Sequence, residues 1–107
     1  MSYERLEQAR QIEKIATSPM EIADLLRVAE RDLGTAQSLI NIDLDWALTV
    51  AYNSALQAVL ALMYTHGYRP RGADMHKTAL DFAAIALGDP YRADIARLNR
   101  VRRKRHQ

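Results

Sequence analysis

The last part of the chain, residues 97–107, holds its densest group of side chains that could do chemistry. Six are cationic and one is an imidazole: Arg97, Arg100, Arg102, Arg103, Lys104, Arg105 and His106. On a helix, Arg102 and His106 are four positions apart and share a face, and Arg103 lies one position to the side. Guanidinium groups bind phosphate oxygens, and an imidazole can donate or accept a proton near neutral pH. RNA strand cleavage needs both of these functions. The alternative is a basic helix end that only complements its own dipole.

The charge of the chain is correspondingly uneven. Its formal net charge is +2, but residues 1–90 hold eight Lys or Arg against twelve Asp or Glu, whereas residues 91–107 hold seven against one. An acidic body with a strongly basic end points to a phosphate-bearing partner. A solubilising or disordered tail would have the same composition.

Few candidate groups lie outside this segment. Arg69 and Arg71 flank Pro70 in a short loop and could add to an anion-binding surface. His66 and His76 are expected to cap or pack locally, because neither has a second ligand at a metal-binding spacing. The chain has no cysteine, and its glycines are isolated, so there is no thiolate site and no glycine-rich phosphate loop. We expect neither a metal nor a cofactor.

The size and composition of the chain predict a single domain spanning residues 1–107. The absence of cysteine fits a reducing compartment, and the first ten residues carry four charged side chains instead of an apolar run. We therefore predict no secretory signal and a cytoplasmic location.

The stretch from Trp46 to Thr65 has no charged residue, glycine or proline, and it predicts one long central helix. Polar residues near its middle favour a core helix over a membrane span. The side expected to be buried consists of Leu48, Ala51, Ala55, Ala58, Val59 and Leu62. A second face carries Trp46, Asn53, Gln57 and Tyr64, and we expect it to lie against the last helix or a partner subunit.

Four further helices are predicted around this one. Residues 2–16 show helical spacing of apolar side chains, and a capping box begins a second helix at Ser18. A fourth helix follows Asp74 and ends at Gly88, and a fifth starts after Pro90 with Tyr91, Ile95, Leu98 and Val101 as its buried side. No segment alternates like a strand. The fold class is therefore all-α, an antiparallel up-and-down bundle of about five helices.

Several of these residues together form a known pattern. They are Trp46, Tyr52, Asn53, Ala55, Ala58, Leu60, Ala61, Leu62, His66, Gly67, Tyr68, Arg69, Pro70 and His76, followed by the basic last helix. Over residues 22–107 the chain resembles the HEPN domains. The resemblance implies a helical bundle, a homodimer that brings two basic helices into a shared groove, and a metal-independent endoribonuclease, often a toxin paired with a nucleotidyltransferase antitoxin. Other HEPN domains only bind nucleotides or RNA.

The ribonuclease motif of that family is an Arg, four to six residues, and a His. Arg100 and His106 satisfy this spacing, with Val101 at a place where the family commonly has a polar residue. Other members carry a tyrosine a few residues after the Arg-rich segment, and this sequence stops at Gln107, so the chain is either short or cut inside the motif. Three hypotheses follow: an RNA-cleaving protein that uses Arg100 and His106, a non-catalytic module that binds RNA, a nucleotide or a protein, and a structural dimer domain.

Overall fold

Five helices and one small two-stranded sheet make up the computed structural model, which describes residues 3–105. The elements in chain order are α1 (Glu4–Gln8), β1 (Ile12–Lys14), α2 (Pro19–Leu39), α3 (Leu44–Thr65), β2 (Tyr68–Pro70), α4 (Met75–Leu87), a 3-10 turn (Asp89–Tyr91) and α5 (Arg92–Arg105). The predicted helical bundle is confirmed, and the two strands are an addition that the sequence pattern did not indicate.

Helices α2 and α3 form a long antiparallel hairpin whose starts are both capped as predicted. The Ser18 hydroxyl accepts the Glu21 amide at 3.2 Å, with Pro19 in the first turn, and the Asp43 carboxylate accepts the Trp46 amide at 3.1 Å. Small residues are buried at every seventh position of both helices: Ala29 and Ala36 on α2, and Ala47, Ser54 and Ala61 on α3. Such a seam lets the two backbones approach closely.

A cross-helix hydrogen bond fixes the register of this hairpin. The buried Ser54 hydroxyl donates to the Ala29 carbonyl at 2.6 Å. The opposite side of α3 packs on α4 and forms the larger core, in which Met63 and Phe82 are fully buried. Helix α3 is therefore covered on two sides, by α2 and by α4.

This arrangement contradicts the single buried face predicted for α3. Val59 is buried as expected, but Leu48 is 50% exposed and Ala58 is exposed. A helix that packs against neighbours on opposite sides has apolar residues on both sides. The helical periodicity of its apolar residues therefore could not show which side contacts α2 and which contacts α4. By length and composition alone, α3 is apolar enough to cross a membrane.

The N-terminal segment differs most from its predicted form. Helix α1 ends at Gln8, and Arg10 adopts a left-handed backbone with φ of 57°, which stops the helix. Residues 12–14 then form β1, which pairs antiparallel with β2, Ile12 opposite Pro70 and Lys14 opposite Tyr68. The predicted helix over residues 2–16 and the predicted absence of strands are therefore both wrong.

Hydrogen bonds beyond the paired residues stabilise the β1–β2 ribbon. Outside the paired residues, the Ile15 amide donates to the Gly67 carbonyl at 2.9 Å and the Arg71 amide donates to the Gln11 carbonyl at 2.8 Å. The Tyr68 hydroxyl donates to Glu7 Oε1 at 3.0 Å. Burial raises the pKa of Tyr68, and the hydrogen bond to the Glu7 carboxylate raises this pKa further.

Candidate phosphate-binding surface

Helix α5 presents the basic segment because its apolar side is anchored in the core. The chain turns at Gly88, whose φ of 72° suits a glycine, and α5 then runs from Arg92 to Arg105. Ile95 is buried, and Leu98 and Val101 pack against the same core cluster. The predicted apolar side of the fifth helix is confirmed for these three residues, whereas Tyr91 is 48% exposed and does not belong to it.

The basic side chains divide between two sides of α5. Arg100, Arg103 and Lys104 are exposed, and by helical geometry they lie on the side opposite Leu98. Arg102 is half-buried, and its Nε donates to Asn99 Oδ1 at 3.2 Å. The three exposed residues Arg100, Arg103 and Lys104 are called the α5 stripe below. The geometry favours the stripe, rather than Arg102, as the place where a large anion can dock.

Pairing with carboxylates distinguishes the arginines in the first half of α5 from the stripe. Arg92 pairs with Asp89 at 2.9 Å and Arg97 pairs with Asp94 at 3.0 Å, both one helical turn away. Within residues 3–105, no carboxylate lies within ion-pair distance of the α5 stripe. The positive charges of the stripe are therefore not neutralised by these carboxylates. An anionic ligand binds such a surface more favourably than one whose charges are already paired.

The predicted catalytic pair is only partly placed. Arg100 is on the stripe, while His106 lies outside the described residues, as does Gln107. Arg105 is the last residue of α5. The predicted roles of Arg100 and His106 in cleavage, and of Arg105 in phosphate binding, remain predictions.

Arg69 and Arg71, predicted as a second anion surface, share one carboxylate. Arg69 Nε lies 2.5 Å from Glu13 Oε1, and Arg71 Nη1 lies 3.6 Å from Glu13 Oε2. Glu13 is on β1, Arg69 is the middle residue of β2 and Arg71 directly follows that strand, so the ion pairs connect the two strands of the ribbon. Because a phosphate would have to compete with this carboxylate, the structure gives both arginines a structural role first. All three side chains are partly exposed, so each pair stabilises the fold by about 0–1 kcal/mol.

A cleft of about 330 Å³ next to Arg69 contains the polar groups that the sequence did not single out as a site. Gln57 and Tyr64 from α3 face His76 at the start of α4, over an apolar floor. The His76 Nδ1 lies 3.5 Å from the Tyr52 hydroxyl. Gln57 and Tyr64 are seven positions apart on α3, which is the one signal in the sequence that places them together.

The same cleft corrects the role predicted for the second face of α3. Gln57 and Tyr64 line this cleft beside β2 and α4, and they do not lie against α5. Asn53 is exposed and Trp46 is 57% exposed. The expectation that the last helix covers this face is therefore wrong, and the expectation of a partner subunit there stays a prediction.

Another cleft, of about 650 Å³, runs between the end of α4 and the first half of α5. It is lined by Arg92 and Asn99 but by no residue of the α5 stripe. Among residues 3–105, no three potential metal ligands come together. Comparison of the chain with models of known protein families, with curated proteins and with solved structures gave no match.

Proposed function

We propose that the protein is an RNA-directed, HEPN-like domain that binds the phosphate backbone with the α5 stripe. The observation that supports this most is the exposure of Arg100, Arg103 and Lys104 without a carboxylate partner in the described chain. Helix α5 has one acidic residue, Asp94, and Arg97 already engages it. An uncompensated cationic stripe on a rigid helix is a good match for a polyanion, because phosphate contacts release bound counterions.

Cleavage is the enzymatic part of the proposal. A base removes the proton of the 2′-hydroxyl, the resulting oxygen attacks the neighbouring phosphorus, and the bond from phosphorus to the 5′ oxygen breaks as an acid protonates that oxygen. Guanidinium groups stabilise the charge that develops on the phosphate. In this scheme Arg100 supplies the guanidinium and His106 supplies the proton transfer, without a metal.

Salt dependence tests the binding surface. For single-stranded RNA, log K falls with log[salt] by about 0.7 for each phosphate contact. Replacing Arg100, Arg103 and Lys104 by Gln should weaken RNA binding and reduce that slope by about 2 in fluorescence anisotropy titrations. Arg31→Gln on α2 is the matched control and should leave both unchanged. An unchanged slope for the triple variant would remove the α5 stripe from the binding surface.

Cleavage is tested separately with His106→Ala and Arg100→Gln. A labelled RNA incubated with the purified protein and with a chelator should be cut by the wild type, and each variant should lose at least tenfold in rate. Equal cleavage by wild type and His106→Ala would exclude the histidine. If the wild type and both variants bind the RNA and none of them cleaves it, the protein is a non-catalytic binding module.

The second candidate function is nucleotide binding without cleavage, which the cleft beside Arg69 favours. Its polar groups stand over an apolar floor, as in small-molecule sites of similar volume. Calorimetric titration with adenosine monophosphate should then show binding that Tyr64→Ala abolishes and Arg31→Gln leaves intact.

The resemblance adds partners to the proposal. It implies a homodimer and, for a toxin, a nucleotidyltransferase antitoxin, while the proposed cytoplasmic location rests on the absence of cysteine and on the charged first ten residues. Co-purification of the tagged protein from cells expressing a candidate nucleotidyltransferase would test that pairing, with the triple variant of the α5 stripe showing whether the basic helix takes part.

A further inference from the structure

One side of the α2–α3 hairpin is apolar and uncovered. On α2, Leu26, Leu33 and Ile40 recur every seven positions and are 45%, 49% and 52% exposed. On α3, Leu44 and Leu48 are 68% and 50% exposed, and they line a groove of about 250 Å³ together with Leu33 and Ile40. These five side chains, with Ala51 at the bottom of the groove, are called the hairpin face.

Uncharged residues extend the hairpin face along α3. Ala55 and Ala58 follow Ala51 on the same side of the helix, so small residues form a shallow track beside the leucines. By helical geometry the nearest charged side chain on α2 is Glu30, at the rim. The face resembles the inside of a helical bundle from which one layer has been removed.

The exposed apolar area of the face is at the upper end of the range for a monomer and approaches that of a standard interface. With Ile42 in the connecting turn, which is 78% exposed, its large side chains leave roughly 600 Å² of apolar surface in water, against about 800 Å² buried by each partner in a standard interface. The largest patch on a monomer is commonly about 300–600 Å².

We infer that a second copy of this chain covers the hairpin face, so that two α2–α3 hairpins form a four-helix bundle. A two-fold contact brings each patch against itself, which is favourable for an uncharged face because no like charges meet. The other charged side chains in the middle of α2 lie further round the helix and pair with each other, Arg27 with Asp24 and Arg31 with Asp32. An RNA partner would find no cation on the face itself.

This interface is independent of the proposed phosphate-binding surface. It lies on α2 and α3, whereas the α5 stripe belongs to a helix packed on α4. Dimerisation through the hairpin face therefore does not cover the α5 stripe. This differs from the expectation that two basic helices meet at the interface.

Sedimentation velocity over a range of concentrations tests the inference. The wild type should sediment as a dimer, with twice the 12.2 kDa of one chain, at micromolar concentration. Leu33→Glu/Leu48→Glu should weaken the dimer at least 100-fold, because two carboxylates per chain would be buried there. Met20→Glu is the matched control: Met20 is 75% exposed on another side of α2, and this variant should remain a dimer.

Folding of each variant is followed by circular dichroism and by Trp46 fluorescence, and Leu33→Ser/Leu48→Ser replaces the charged variant if that one does not fold. A wild type that is monomeric at 100 micromolar would overturn the inference, and so would a dimer that survives both pairs of substitutions. A monomer that binds phosphatidylcholine vesicles through the hairpin face would also overturn it, since a lipid surface would then be the occupant.

Discussion

Phe82 joins the N-terminal segment to the rest of the fold, and its removal should be costly. Its side chain is fully buried, and its ring stacks on Tyr3 with centroids 4.1 Å apart. His66 and Tyr68 approach the same ring at 5.7 and 6.0 Å. Replacing a buried Phe by Ala typically costs about 3–5 kcal/mol, from lost burial and from the cavity that remains. Domains of this size are stable by only about 5–15 kcal/mol, so Phe82→Ala should approach the limit of folding.

Thermal and urea unfolding measure this cost. At about 4–8 °C for each kcal/mol in a domain of roughly 100 residues, Phe82→Ala should lower the melting temperature by at least 12 °C. Met75→Ala, in the same helix but 49% exposed, is the matched control and should change stability by less than 1 kcal/mol. A cost below 1 kcal/mol for Phe82→Ala would show that the aromatic cluster does not support the fold.

Three further predictions concern single side chains. Ser54→Ala removes the 2.6 Å bond between α3 and α2 and should cost about 1 kcal/mol in urea unfolding. Gly34→Ala in α2 meets no atom within 4 Å and should stabilise by about 1 kcal/mol, whereas Gly67→Ala, at φ of 80°, should destabilise by about 1–2 kcal/mol. The raised pKa of Tyr68 means that its contribution is complete below its unfolded value of 10.0 and is lost as the pH rises through the folded value. Wild-type stability should therefore fall more steeply above pH 10 than that of Tyr68→Phe, and parallel pH curves would contradict this.

Local signals in the sequence predicted most of the helix boundaries. Ser18 and Asp43 are caps because their side chains accept backbone amides of the first turn, and these contacts span only three residues. The ribbon was not predictable in the same way. Each strand has three residues, too few for an alternating pattern, and its partner is far along the chain. Leu6 and Ile12 are both buried, as the sequence pattern predicted, but the helix ends at Gln8, before Arg10, and Ile12 is in a strand.

The candidate site was predictable in its charge but not in its geometry. The basic end of the chain is visible by counting, and so is its position on a helix. The division between the exposed Arg100 and the half-buried Arg102 depends on which side of α5 meets α4. The engagement of Arg69 and Arg71 by Glu13 depends on the ribbon, so no local pattern could show it.

The β1–β2 ribbon also bears on the order in which the chain assembles. Glu7 and Tyr68, which it brings together, are 61 positions apart. Closing a loop of that length costs on the order of 3–4 kcal/mol of chain entropy, more than a three-residue pairing returns. The α2–α3 hairpin needs only a short turn and shortens that loop once it has formed. We therefore expect the N-terminal segment to dock late in folding, and we expect its amides to exchange with solvent sooner than those of α3.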